Sequence, residues 1–242
     1  MRIIDAVWEK RNIGVDTIEI VCDGTESADE LKSALEENLT AYNVLKIPVG
    51  NIDLLSAGQD CGFRLIEVEY RMRGRTNVAG FPEMYKRFEK YVRVVPASEE
   101  LKNRILNEIG EGTIFSTDRI AIDRAFSQKL AGNRYKNWSM DVLKKGACLD
   151  VAFYKDEPVA FNIDTQPDEN KVCTGILGGV LTNALDRGLG FLVPYVGLET
   201  CKRLGGKAVV AGVSSNNLPI MKLQLQFGFE IKDASYVLIK HQ

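Results

Sequence analysis

Leu185-Asp-Arg-Gly-Leu-Gly190, followed by Asn217-Leu-Pro-Ile-Met-Lys-Leu-Gln-Leu-Gln-Phe-Gly-Phe229, decides how the rest of this chain is read. The first stretch opens a helix-like segment, Gly190–Arg203. A glycine pair before a helix N-terminus lets the backbone approach a phosphate, where free N–H groups and the helix dipole favour negative charge. The second stretch begins on a helix-capping Asn and ends in Gly-Phe. It lies between two strand-like runs, Lys207–Val213 and Ser235–Lys240. A dinucleotide-binding reading fails. The third glycine position is Val193, no acidic residue lies suitably beyond, and the strand before the glycines ends an antiparallel meander.

That meander is Cys148–Tyr154, Val159–Thr165 and Val172–Leu181, joined by the turns Lys155-Asp-Glu-Pro158 and Gln166-Pro-Asp-Glu-Asn170. Ahead of it, Tyr91–Val95 reads as a strand and Ser98–Glu108 as a helix capped by Ser98, with Glu99 and Glu100 in its first turn. Ile120–Leu130 and Asn137–Leu143 are further helical stretches. The first third of the chain holds strands at Thr17–Cys22, Asn43–Val49 and Arg64–Arg73 and helices at Asp29–Asn38 and Asp53–Gln59. Ser27 and Glu30 form a capping-box pattern. In Arg64–Arg73, Leu65, Glu67, Glu69 and Arg71 alternate with Ile66, Val68, Tyr70 and Met72, which gives one wet and one buried face. Gly74–Pro82 reads as a loop, and the expected division is a domain over 1–88 and another over 89–242. The two repeat a pattern: Asn51 precedes Gly62-Phe63 as Asn217 precedes Gly228-Phe229, each between two strands.

Composition narrows the function. With 242 residues, 45% hydrophobic and 26% charged, the chain is a globular protein of one large or two small domains. A net charge of −2 without a basic stripe argues against a nucleic-acid partner. The five cysteines are scattered and the one histidine, His241, is nearly terminal, so neither a zinc site nor a Ser-His or Cys-His nucleophile is expected. The N-terminus lacks the apolar core of a secretory signal and no run approaches a membrane span, so a cytoplasmic protein without a membrane partner is expected.

Residues Glu89–Gln242 resemble the GNAT superfamily of acyl-CoA-dependent N-acyltransferases. Two of its motifs, Q/R-x-x-G-x-G/A and N-x-x-A-x-x-x-Y-x-x-x-G-F, fall on Leu185–Gly190 and Asn217–Phe229. The resemblance implies an α/β (α+β) fold with a mixed, splayed central sheet, preceded by a smaller, degenerate GNAT-like unit that lacks a CoA site. It implies acetyl-CoA as acyl donor and no metal. The fourth strand of the fold would be Val172–Leu181, with Gly179, Val180 and Leu181 nearest the thioester. Backbone amides of Leu185, Asp186, Arg187, Gly188, Leu189, Gly190 and Phe191 would hold the pyrophosphate, Arg187 adding charge and Asn217 a bond to the pantetheine arm or the loop. Leu185 replaces the usual Gln or Arg, and Ile220 a small residue. Gln224 stands where the superfamily has the tyrosine that protonates the departing thiolate, and glutamine cannot give up a proton at neutral pH. Tyr195 and Tyr236 are substitutes by type, and unaided departure of the thiolate is the other route.

Trp8-Glu-Lys-Arg-Asn-Ile-Gly14, Gly62-Phe63-Arg-Leu-Ile-Glu67 and Tyr135-Lys-Asn-Trp138 further resemble TDP-fucosamine acetyltransferases, which acetylate the amine of a nucleotide-linked sugar. That implies Asp118, Arg119, Asp123, Arg134 and Trp138 as acceptor-site residues, by position. The partners expected are a small-molecule amine, with a nucleotide sugar as the leading kind, and a homodimer is allowed. Another amine, an antibiotic, a protein N-terminus, or a non-catalytic CoA-binding domain fits the same motifs.

Overall fold

Strand-like runs from both ends of the chain enter one sheet. In a computed structural model describing residues 1–78 and 80–242, the strands are β1 (Arg2–Asp5), β2 (Thr17–Val21), β3 (Tyr42–Pro48), β4 (Arg64–Arg75), β5 (Val92–Pro96), β6 (Cys148–Tyr154), β7 (Glu157–Asp164), β8 (Val172–Val180), β9 (Ala208–Ser214) and β10 (Glu230–His241). They lie in the order β1-β2-β3-β10-β4-β9-β8-β7-β6-β5. The helices are α1 (Val7–Ile13), α2 (Ala28–Glu37), α3 (Ile52–Asp60), α4 (Glu99–Gly110), α5 (Arg119–Ile122), α6 (Gln128–Lys144), α7 (Leu192–Arg203) and α8 (Leu218–Gln226). None of the described helices is long and apolar enough to cross a membrane.

Local chemistry sets most boundaries where the sequence puts them. The Ser27–Glu30 capping box forms, and Ser98 accepts from the Leu101 N–H. The expected helix Ile120–Leu130 is instead two, because short polar side chains capture the backbone between them. Asp123 accepts from the Ala125 N–H at 3.1 Å and Ser127 from the Leu130 N–H at 3.2 Å, which starts α6 afresh. Asn137–Leu143 lies within α6. β1 and α1 fall where no element was expected. The Gly74–Pro82 loop is shorter than expected: β4 runs to Arg75, a 3-10 turn covers Thr76–Val78, and residue 79 lies outside the described residues. Residue 88 falls inside a 3-10 segment, Glu83–Tyr91.

The repeated pattern is a structural repeat with its last strands exchanged. β10, the end of the chain, lies between β3 and β4, and β4 lies between β10 and β9. The register Val68↔Tyr236, Glu69↔Ser235, Tyr70↔Ala234 is symmetric about its middle pair. The same twofold relation turns Lys46↔Val237 into Arg71↔Gly212, and the parallel pair Thr17↔Tyr42 into Val172↔Ala208. Each unit therefore completes its sheet with a strand from the other.

The two faces of the sheet are covered differently. α7 and α8 bury Met72, Val209, Phe191, Phe227 and Phe229 on one face. α4 and α6 bury Ile105, Ile109, Val151, Phe161 and Ile163 on the other. In the N-terminal unit, α2 and α3 close over Ile20, Leu45, Ile47 and Leu238.

Candidate active site

The site begins where two parallel neighbours stop pairing. β8 and β9 run in register from Val172↔Ala208 to Gly175↔Ala211 and then part. β8 continues to Val180 held only by β7, and β9 to Ser214 held only by β4. Alternate residues of Ile176–Val180 therefore present backbone N–H and C=O groups to the gap. A cleft of about 1190 Å³ passes along this opening and reaches both faces of the sheet.

On the α7–α8 face the cleft meets Asn162, Gly178, Val193, Asn217, Ile220 and Gln224. A Cβ on Gly178 would strike the Asn162 side chain and come within 2.8 Å of Val193 Cγ1, so only glycine fits here. Asn162 donates to both oxygens of Asp164 at 2.9 Å. Burial raises the Asp164 carboxyl well above the usual range. Asn217 caps α8 by accepting from the Ile220 N–H at 3.4 Å. Gln224 is 7% exposed, and its Oε1 has no partner among the described residues.

On the opposite face the cleft is polar. β4 contributes Glu67, Glu69, Arg71 and Arg73 to it. Gly212 lacks a Cβ where one would lie 2.9 Å from Glu69 Oε1. Glu67 Oε2, Asp118 Oδ2 and Arg119 Nε are buried without partners among the described residues. Burial raises the Glu67 carboxyl, with Asp118 and Glu69 adding to the shift and Ser214 and Arg119 opposing it. Tyr135 is pushed well above its ordinary value by burial and by the Asp118 charge. Burial disfavours the Arg119 cation, but Glu19, Tyr42 and Glu9 outweigh it and keep the guanidinium charged. Arg134 chelates Glu9, with contacts from 2.7 to 2.9 Å, and ties α6 to α1. The chain's two tryptophans, Trp8 on α1 and Trp138 on α6, both line this half and are 42% and 39% exposed.

The expected site residues divide. Asn217 and Gln224 line the cleft, as do Asp118, Arg119, Arg134 and Trp138. Asp123 does not: it is buried against His241 Nε2 at 2.7 Å. The side-chain position of Gly179 points to Ile114 and Phe161, and Leu181 is buried at the end of β8. Between Val180 and α7 the chain makes a 3-10 turn, Thr182–Arg187, in which Leu185 is exposed and Arg187 pairs with Glu157 at 2.6 Å. Gly188 takes φ +67, a left-handed conformation that favours glycine, and Gly190 lies against Leu223. Leu189 and Phe191 are core residues. None of 179–191 is in the cleft wall, and the loop sits ahead of the α7 N-terminus. Tyr195 packs against Phe81 with the ring centroids 4.2 Å apart and the planes tilted by 42°, its hydroxyl pushed up to about 12 by burial, and Tyr236 packs in the α2–α3 core; neither lines the cleft. Glu67, Tyr135 and Trp8 also line the cleft and are not among the residues expected from the sequence. The signal for Glu67 was the alternating face of β4, which reads as solvated because nothing in the sequence says that another unit covers it.

No family model matches the chain, and no curated protein matches it. Solved structures do. A GCN5-related N-acetyltransferase from Sphaerobacter thermophilus superposes with a TM-score of 0.56 at 14% identity, covering 83% of this chain and 59% of that one. This chain thus spans under two thirds of that protein. A GCN5-related N-acetyltransferase from Kribbella flavida gives 0.57 at 14% identity, covering 93% and 81%. A tandem GNAT protein from the clavulanic acid biosynthesis pathway gives 0.54 at 12% identity, covering 93% and 75%. With the strand order, the parted β8 and β9 and the repeated unit, these likenesses establish that the chain has the GNAT fold in a two-unit arrangement.

Proposed function

We propose that the chain is an acetyl-CoA-dependent N-acetyltransferase acting on a primary amine. The observation that carries this reading is the parting of β8 from β9, which opens one cleft to both faces of the sheet. The residues present fit the donor. The α7–α8 side offers an unpaired strand edge for a pantetheine amide, a glycine where a side chain would block it, and the unpartnered Oε1 of Gln224. When bound, acetyl-CoA supplies an activated acyl group. Backbone amides at the α7 N-terminus favour its phosphates, and the loop Leu185–Phe191 with Arg187 is assigned to them in this reading. Gln224 orients but does not protonate.

The acceptor enters from the other face. Its charged floor, the partnerless Asp118 oxygen and the two exposed tryptophans suit an amine carried on a ring. Arg73, Lys145 and Lys232, which make no ion pair with a described residue, border the same groove and suit an anionic group attached to that ring. A nucleotide-linked amino-deoxy sugar combines these features and is the acceptor we favour. The test is release of free thiol from acetyl-CoA with nucleotide-linked amino sugars, free amino sugars, polyamines and amino acids. Turnover confined to the nucleotide-linked amines supports the finer reading. Tight acetyl-CoA binding with no thiol release from any amine would make the chain a CoA-binding module, the reading that Gln224 favours.

A further inference from the structure

We infer that Glu67 is the general base of the transfer, brought into the active site on the strand that the N-terminal unit lends to the C-terminal one. The inference rests on the acetyltransfer reading above. It names a residue outside both superfamily motifs and outside the unit that carries them. Glu67 lies on β4 on the face opposite α7 and α8, two residues from Glu69, which pairs with Ser214 at the end of β9. An acceptor reaching the gap between β8 and β9 from the polar side passes this carboxyl. Glu67 lines the cleft, and its Oε2 is buried with no hydrogen-bond partner among the described residues, so the carboxyl retains capacity for a proton.

The charged surroundings come from five elements. Glu69 lies on the same strand, Asp118 and Arg119 at the start of α5, Tyr135 on α6, Glu19 on β2 and Lys46 on β3. Most of these are already committed. Lys46 binds Glu69 at 3.0 Å, Arg119 binds Glu19 at 3.2 Å, and Asp118 Oδ1 caps α5 through the Ile120 N–H at 2.8 Å. Asp118 retains one free oxygen but is fixed by its capping bond. Glu67 Oε2 has no hydrogen-bond partner among the described residues, while Ser214 and Arg119 favour the ionised form of its carboxyl. A carboxyl favoured in its neutral form by burial is a stronger base once ionised, which suits removal of a proton from an ammonium.

Glu67 carboxylate takes one proton from the acceptor ammonium. The neutral nitrogen attacks the thioester carbon, the C–N bond forms and the C–S bond breaks. The nitrogen gives its second proton to water as the intermediate collapses, the CoA thiolate takes one from water, and Glu67 returns its proton to solvent. The net products are the amide, CoA thiol and one proton.

The test compares wild type, Glu67→Gln and Glu67→Asp, with acetyl-CoA and the amine panel above, plus hydroxylamine, whose nitrogen is already neutral at pH 7. Glu67→Gln should lower kcat/KM for an ordinary ammonium on the order of 10²-fold or more, remove the acid limb of the pH–rate profile, and leave the acetyl-CoA Kd unchanged. Glu67→Asp should recover part of the rate and the limb, and hydroxylamine should lose far less than the ammonium substrates. Folding gives an independent readout. A carboxyl whose value is raised in the folded state contributes stability at low pH that is lost as pH rises through that value. Glu67→Gln should therefore be as stable as wild type at acid pH and gain on it as pH rises, whereas a structural Glu67 would leave the variant less stable throughout. Wild type inactive with every amine would overturn the acetyltransfer reading, and this inference with it. An active wild type whose pH profile survives Glu67→Gln, or loses its acid limb only on Asp118→Asn, would overturn the assignment of Glu67 alone.

Discussion

The two units of the chain start from the same strand pairing and end differently. In the C-terminal unit, β8 and β9 pair from Val172↔Ala208 and part after Gly175↔Ala211. In the N-terminal unit, β2 and β3 pair from the matching Thr17↔Tyr42 as far as Val21↔Lys46, and Cys22 adds one more bond to the Lys46 carbonyl at 2.9 Å. There the strand stops and turns into the α2 cap. The helices after β3 and β9 tell the same story. Gln224 of α8 borders open space, whereas Gly58, at the matching place on α3, has the Leu45 side chain where its Cβ would be, at 2.8 Å. The C-terminal unit carries glycines at 175, 178 and 212, where a Cβ would crowd Ala211, Asn162 and Glu69, whereas the N-terminal unit packs Ile20, Leu45 and Leu54 into a core. The same scaffold makes a cleft or a core according to a few side chains at the strand ends.

The comparison breaks most severely if the units are separated. Residues 1–88 alone leave β4 with neither neighbour and β3 without β10. They should show no cooperative thermal transition and no CoA binding. Mixed with residues 89–242 they should regain both. A folded isolated fragment would mean that the strand exchange does not hold the units together.

Moving the C-terminal residue into the N-terminal unit is the next test. Gly58→Gln forces a polar side chain into the space held by Leu45, which should cost about 3 kcal/mol or more in denaturant unfolding. The reverse site is tolerant: Gln224→Ala should change stability by under about 1 kcal/mol and leave the shape of the pH–rate profile intact, because no titrating group is lost. An alkaline limb that vanished on replacing Gln224 would contradict its non-acidic role.

A smaller effect separates backbone strain from ligand contact at the loop before α7. Gly188→Glu must adopt a left-handed φ of +67, costing about 1–2 kcal/mol, and should weaken acetyl-CoA binding in calorimetry if the loop holds phosphates. Unchanged affinity in the folded variant would remove the loop from the donor site. The smallest change is expected at Tyr195→Phe and Tyr236→Phe. Both rings pack away from the cleft, so kcat should stay within a few-fold of wild type, which leaves unaided thiolate departure as the route. A loss near 10²-fold in either would name the acid.

The C-terminal unit was legible because its elements follow local rules: capping serines, strand alternation and two motifs at fixed spacing. The repeat was legible as Asn51 and Gly62-Phe63 against Asn217 and Gly228-Phe229. Its exchange of strands was not, because β4 and β10 carry the same kind of pattern and either could pair with β3 or β9. On the α7–α8 side of the cleft, motif positions led to Asn217 and Gln224 but also to 179–191, none of which lines it. On the polar side, Asp118, Arg119, Arg134 and Trp138 were reached by position, but Glu67, Tyr135 and Trp8 were not, since they come from three elements far apart in sequence and meet only once β4 enters the other unit. The break at Asp123–Ser127 was missed because apolar periodicity continues through it, while two short side chains take over the backbone.

Hydrogen exchange with and without acetyl-CoA distinguishes the open strand edge of one unit from the closed one of the other. Amides of Ile176–Val180 have no β9 partner, whereas Thr17–Val21 lies on a strand paired on both sides, to β1 and to β3. Saturating acetyl-CoA should slow exchange in Ile176–Val180 and at the α7 N-terminus and leave Thr17–Val21 unchanged. Binding that protects the N-terminal pair, or that leaves Ile176–Val180 as fast as in the free protein, would contradict the account.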